Sequence, residues 1–268
     1  MIENLRNLFK YKELLFNFAK KELKVKYKNS VLGFFWSLLN PILMMLVFTF
    51  VFTVALPIRD PAIDNFPIFF LAGFLPWNFF NASVTGSTAS IVGNGALIKK
   101  VYFPRELLPL SIATANLVNF ALELVVFIIF VLGSGLFITR FFAFYKFLPY
   151  ILVLLPILFL FTLGVSLLVA ALNVYFRDIQ HIVGILMMVL FYGTPIIYQL
   201  KPGMFGKLGT LMLANPMATI VLSFKNALFW LVAPSFNYVA YSAAAAVIVF
   251  LFGYLVFLRL EPDFAEEV

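Results

Sequence analysis

The sequence predicts an all-α membrane protein with six transmembrane helices per subunit. An N-terminal amphipathic interface helix precedes them, and an outer re-entrant gate hairpin stands before the last span. Three observations carry this prediction. The 268 residues are 63% apolar and 12% charged, with a mean hydropathy of +1.04, whereas soluble domains are nearer half apolar and a quarter charged. Uncharged runs of about the 20 residues that a crossing needs recur along the chain. Lysine and arginine crowd the first 30 residues, which sets an orientation.

Residues 1–30 are expected to form a helix lying on the membrane. On a wheel of 100° per residue, Leu8, Tyr11, Leu14, Leu15, Phe18 and Val25 share one face, and Lys10, Lys20, Lys21, Lys24 and Lys28 the opposite one. Glu22 falls on the apolar side and does not fit the pattern. The same residues also serve as a basic flank that enforces orientation, and an interfacial helix satisfies both roles. Charges occur throughout this segment, so no cleaved signal is expected there.

From Val31 to Pro57 the chain is uncharged, 27 residues that as a helix span roughly 40 Å against a hydrocarbon core of about 30 Å. The part up to Pro41 therefore lies near the interface or is kinked, and the remainder crosses. Span one is placed at Leu38–Leu56 and span two at Phe66–Ile91. Span three is placed at Leu108–Ile138, interrupted by Glu123, and span four at Phe147–Leu172. Spans five and six are placed at Ile182–Tyr198 and Tyr238–Leu258.

Residues 201–234 are too apolar for a solvated loop and too broken for a clean span, with Pro202, Gly203, Gly206, Gly209, Pro216 and Pro234. Asn215-Pro216 divides them into two short helical pieces. Irregular backbone survives at membrane depth only where protein buries it or water reaches it, which places this hairpin beside a pathway. A seventh partial crossing is the alternative, and it would put the C-terminus outside.

With the N-terminus inside, the inner segments hold 13 Lys and Arg against six outside: Arg59, Arg140, Lys146, Lys201, Lys207 and Lys225. Both termini are thus expected in the cytoplasm. One membrane domain, residues 31–260, follows the N-terminal helix, and an acidic cytoplasmic tail, 261–268, closes the chain. The net charge of +7 reads as topology rather than as a nucleic-acid interface.

Zero cysteines and one histidine leave no thiolate chemistry and no histidine-based metal site to expect. Gly95 through Lys100 lacks the second glycine and the hydroxyl residue of a phosphate-binding loop. Glu123 is the one carboxylate deep in a span; a single acid makes no relay, so it is read as a packing residue, protonated or hydrogen-bonded to a neighbouring Ser, Thr or Asn. No catalytic residue is assigned. The chain is then a passive pore or half of a machine whose motor is another polypeptide.

The loops bear on that choice. In GNGALIKKVYFPRELLPL, Gly93 and Gly95 stop one helix, Pro104 breaks the chain again, and LIKKVYF between them is a short amphipathic unit. Val101, Tyr102 and Phe103 exposed beside Lys99 and Lys100 suit a groove on another protein; lipid headgroups are the alternative. NVYFRDIQH repeats the recipe with Tyr175, Phe176, Arg177 and Asp178.

Taken in register, KYKNSVLGFFWSLLNPILMMLVFTFVF, LIKKVYFPRELLPL and NVYFRDI resemble the membrane subunits of type-2 ABC exporters. They are most similar to Wzm-type permeases, which export O-antigen and related polysaccharides. The resemblance covers nearly the whole chain. It implies a homodimer bound to two copies of a separate ABC ATPase in the bacterial inner membrane. ATP and magnesium would sit on that ATPase, with no cofactor on this chain, and the cargo would be a lipid-linked polysaccharide. It also implies a coupling helix at Leu97–Glu106, comprising Leu97, Lys99, Lys100, Val101, Tyr102, Phe103, Pro104, Arg105 and Glu106. Arg177 and Asp178 would belong to a second contact, and the hairpin would form the outer gate.

Aromatic residues make up 18% of the chain, 35 of them Phe, and most serve packing. Phe66, Phe70, Phe74 and Trp77 follow helical spacing. Asn78, Asn81, Thr85 and Thr88 form one polar stripe and Ser83, Ser87, Ser90 and Asn94 another, which makes span two central in the bundle. A pyranose presents an apolar C–H face to an aromatic ring, each contact being worth about 1 kcal/mol by analogy with aromatic pairs. Such contacts hold a polymer loosely enough to let it move. Phe34, Phe35, Trp36, Phe48, Phe52, Trp77, Tyr192 and Tyr198 are the candidates for this ladder. Other cargoes (teichoic acid, capsule, lipid or drug) fit the same architecture. A stand-alone channel or carrier would work without ATP, and a membrane enzyme would need clustered Asp, His or Arg that the loops lack.

Overall fold

The computed structural model describes residues 10–26, 28, 30, 32–55, 61, 63–133, 137–200 and 206–268. Leu8, Arg59, Lys201, Pro202, Gly203 and the side chains of Phe34, Arg140 and Lys146 lie outside this description. Among the described residues every regular element is helical. In chain order these are α1 (Lys12–Lys26), α2 (Trp36–Thr49, continued by a π-helical turn Phe50–Ala55), α3 (Phe66–Thr88) and α4 (Gly95–Ile98). Then come α5 (Leu107–Gly133), α6 (Phe137–Tyr175), α7 (Ile179–Tyr192) and α8 (Lys207–Ala214). The chain ends with α9 (Pro216–Lys225), α10 (Phe236–Leu260) and α11 (Phe264–Glu267).

Among the described residues, five helical segments are long and apolar enough to cross a bilayer, beginning at Trp36, Phe66, Leu107, Pro149 and Phe236. The shorter apolar helix α7 is the sixth, in agreement with the six spans expected. Its 14 residues cover about 21 Å, short of a bilayer core. The non-helical stretch Gly193–Leu200 continues it.

Helix α3 is the hub, with 78% of its span buried against 11% of the first span. Its serine stripe explains the position, because Ser83 and Ser87 are fully enclosed by neighbouring helices. The helix starts where Asn65 Oδ1 accepts from the Ile68 amide at 3.3 Å, with proline in the first turn. Helices α6 and α10 cross at Gly164 and Gly253, where a Cβ on Gly253 would stand 2.1 Å from the Gly164 carbonyl oxygen. Only glycine fits that approach.

Helix α1 has the amphipathic face expected of it, yet that face is turned onto protein rather than left for lipid. Tyr11, Leu14, Leu15 and Phe18 pack on a second apolar cluster built from Ile91, Ile98, Phe103, Leu107 and Phe264. Lys20, Lys21 and Lys24 remain exposed, and Lys21 Nζ donates to Asn94 Oδ1 at 3.0 Å. The acidic tail is likewise folded back, with Phe264 fully buried against Phe257.

Candidate functional site

Three helices bring their aromatic residues to one face because each carries rings at i, i+4 spacing or at an adjoining end. From α2 and its continuation, Phe48 and Phe52 stack at 6.1 Å. From α3, Phe70 lies 4.8 Å from Phe48 and 5.0 Å from Phe74, and Phe66 lies 5.7 Å from Phe52. From α7, Phe191 contacts Phe48 at 5.7 Å, Trp77 at 5.8 Å and Tyr192 at 5.3 Å. Tyr198 donates its hydroxyl to the Tyr192 carbonyl at 2.9 Å.

Of the rings singled out from sequence, Phe48 and Phe52 are half-buried in this face, Tyr192 is exposed at its edge and Tyr198 stands beside it. Phe35 and Trp36 are exposed at the start of α2. Trp77 is only 3% exposed: it backs Phe191 and does not line a surface, since it sits on the hub helix. The ring that joins the three helices, Phe191, was not among the candidates. The α7 pattern shows an apolar helix but not which residue meets α2.

Below this face lies a cavity of about 320 Å³ lined by Trp36, Ser37, Asn40, Asn78, Ala82, Asn119 and Glu123. Glu123 Oε1 accepts a 2.8 Å hydrogen bond from Asn78 Nδ2, the amide partnership expected of a packing carboxyl. Asn119 Nδ2 donates weakly to Asn116 Oδ1 at 3.4 Å. Amides, a hydroxyl and a carboxyl at membrane depth are costly unless they are used. Together with the Trp36 indole they offer hydrogen bonds to hydroxyls and a flat surface for C–H groups. Among the described residues no three His, Asp or Glu side chains gather as metal ligands do.

The segment expected to be one coupling helix is not one. Helix α4 ends at Ile98, and Val101–Pro104 has no regular secondary structure. Pro104 lacks an amide proton and bars Phe103 from helical geometry. Within this piece, adjacent side chains part company: Tyr102 is 93% exposed, whereas Phe103 is buried edge-on against Phe18 at 5.7 Å. Phe103 therefore is not an exposed docking residue. Lys99, Lys100 and Val101 are exposed, Leu97 and Pro104 are half-buried, and Arg177 and Asp178 are exposed ahead of α7.

Arg105 Nη1 donates to the Glu261 carbonyl, its amide donates to Glu261 Oε1 at 3.4 Å, and its guanidinium stands 6.0 Å from the Phe264 ring. The tail thus braces the segment that follows α4. Glu106, buried beside it, has its carboxyl pushed up to about 7. Loss of solvent is the main cause, opposed by its own amide and reinforced by the Glu261 charge.

In the hairpin, Asn215-Pro216 divides α8 from α9 as the sequence predicts, and Asn215 caps α9. Its Oδ1 accepts from the Met217 amide at 3.0 Å, and its Nδ2 donates to Thr194 Oγ1 at 3.1 Å. Lys225, counted from sequence as a loop cation, is instead buried at the end of α9.

The family model of the ABC-2 type transporter matches residues 13–229. An O-antigen export system permease protein RfbA of Myxococcus xanthus is 35% identical over 273 residues, all of both chains. Two proteins of the same description from Klebsiella pneumoniae are 33% and 32% identical over 265 residues, 98% of this chain and 96% of each relative.

Proposed function

The chain belongs to the ABC-2 type transporter family, and from that premise we propose that it is the membrane-spanning permease subunit of an ATP-driven polysaccharide exporter. Its cargo is a lipid-linked, O-antigen-like chain leaving the cytoplasm across the inner membrane, as the names of its relatives support. Two copies pair, and two copies of a separate ABC ATPase hydrolyse ATP with magnesium. Both termini lie in the cytoplasm.

The observation that carries the reading is the aromatic face from Phe52 through Phe48 and Phe191 to Tyr192, set above the polar cavity around Asn78 and Glu123. Rings take the C–H faces of successive sugars, and amides take hydroxyls, each weakly enough for the polymer to advance. Exposed Tyr102 and Val101, flanked by Lys99 and Lys100, receive the motion of the ATPase. The N-terminal lysines attract the anionic lipid carrier to the entrance.

The test is complementation. In cells that make the polymer but lack the permease, this chain with its ATPase should restore surface polysaccharide. Polymer retained inside despite a co-purifying complex would refute the cargo assignment.

A further inference from the structure

Lys225 is 2% exposed and lies inside the protein at the junction of three elements. Its Nζ donates to the carbonyl oxygens of Pro195 at 2.6 Å, Ile196 at 2.8 Å and Tyr198 at 3.3 Å. Three acceptors match the three protons that an ammonium carries. The same nitrogen stands 3.5 Å from the centre of the Phe69 ring on α3, within cation–π range. Gly73 provides the room, since a Cβ there would sit 2.5 Å from Lys225 Cε.

The carbonyls are available because α7 ends at Tyr192 and the following residues are non-helical, leaving acceptors that a helix would have used. Two neighbouring contacts join the same pieces: Asn215 Nδ2 to Thr194 Oγ1, and the Tyr198 hydroxyl to Met212 Sδ at 3.7 Å. Carbonyls and a ring hold an ammonium firmly while the site is dry. Entering water replaces the same bonds at small cost. Such a clamp is stable when closed and separable once wetted.

We propose that Lys225 is the positioning residue of the outer gate. Its ammonium clamps Pro195–Tyr198 to the hairpin and so fixes Tyr192 and Tyr198 at the end of the aromatic face. The proposal rests on reading the hairpin as that gate, but its test needs neither polymer nor ATPase, so the two can fail separately.

The chain contains no cysteine, so single reporters can be read directly. In the full-length protein in nanodiscs, the maleimide labelling rate of Gln199→Cys reports opening beside the clamp, and that of Lys20→Cys on α1 serves as a distant control. Lys225→Met should raise the Gln199→Cys rate by about tenfold or more, as expected for losing a charge-assisted hydrogen bond. The Lys20→Cys rate should stay unchanged. Lys225→Arg, which keeps the donors, should remain near the parent rate. Gly73→Ala should also raise the rate, by displacing Nζ without changing charge. Unchanged labelling in Lys225→Met, or equal acceleration by Arg and Met, would overturn the proposal. If the Met variant is not recovered as a monodisperse protein, unchanged labelling in Gly73→Ala would overturn it instead.

Discussion

Asn78 Nδ2 donates to Glu123 Oε1 over 2.8 Å and so ties the hub helix α3 to α5 beneath the aromatic face. Removing the donor with Asn78→Leu should cost about 1–3 kcal/mol, because a mostly buried carboxyl loses one of its partners. Glu123→Gln keeps an acceptor and should cost less. Thermal unfolding of the purified variants checks the ordering, and equal losses would contradict it.

Phe191 touches Phe48, Trp77 and Tyr192, so it and Phe48 are the rings whose loss most interrupts the face. Replacing both by Leu preserves apolar bulk and removes the flat surfaces. Export should slow by about thirtyfold for two lost ring contacts of roughly 1 kcal/mol each. Co-purification of the ATPase should be unaffected. Export at the parental rate would remove these rings from the pathway.

Tyr102 and Phe103, adjacent in the segment that follows α4, should behave oppositely. Tyr102→Ala should change stability by no more than about 0.5 kcal/mol, as exposed substitutions do, while weakening capture of the ATPase. Phe103→Ala should lower stability by about 3–5 kcal/mol, as emptied aromatic sites do. Melting curves and pull-down yields read the two effects separately.

Glu106 makes stability depend on pH. Its carboxyl is raised from the ordinary 4.5 to about 7 in the fold, so between those values the folded chain binds more protons than the unfolded one. The Glu106 contribution to stability is therefore fully present below about pH 4.5 and is lost as the pH rises through that window. It levels off above the folded value. Glu106→Gln should remove this component of the slope in melting temperature against pH. A slope as steep in that variant would assign it to other groups.

Much of the architecture was legible because a bilayer imposes length: six apolar runs met in sequence are the five long helices and α7. The break at Asn215-Pro216 was legible because proline following a capping side chain starts a helix. What covers a face was not legible. The period of α1 identifies Leu14 and Phe18 as apolar partners of something, but lipid and Phe103 satisfy it equally. The burial of Lys225 was hidden for a related reason: its partners are backbone carbonyls 27 to 30 residues away, and carbonyls leave no mark in a sequence. The Gly164–Gly253 crossing was equally silent, since an isolated glycine in an apolar run does not say which helix approaches it.

The most direct measurement is transport in vesicles holding this chain alone, or this chain with its ABC ATPase, and loaded with lipid-linked polysaccharide. Polymer should cross only when both proteins and hydrolysable ATP are present, and Tyr102→Ala should reduce the rate. Crossing at full rate by the chain alone would contradict the account.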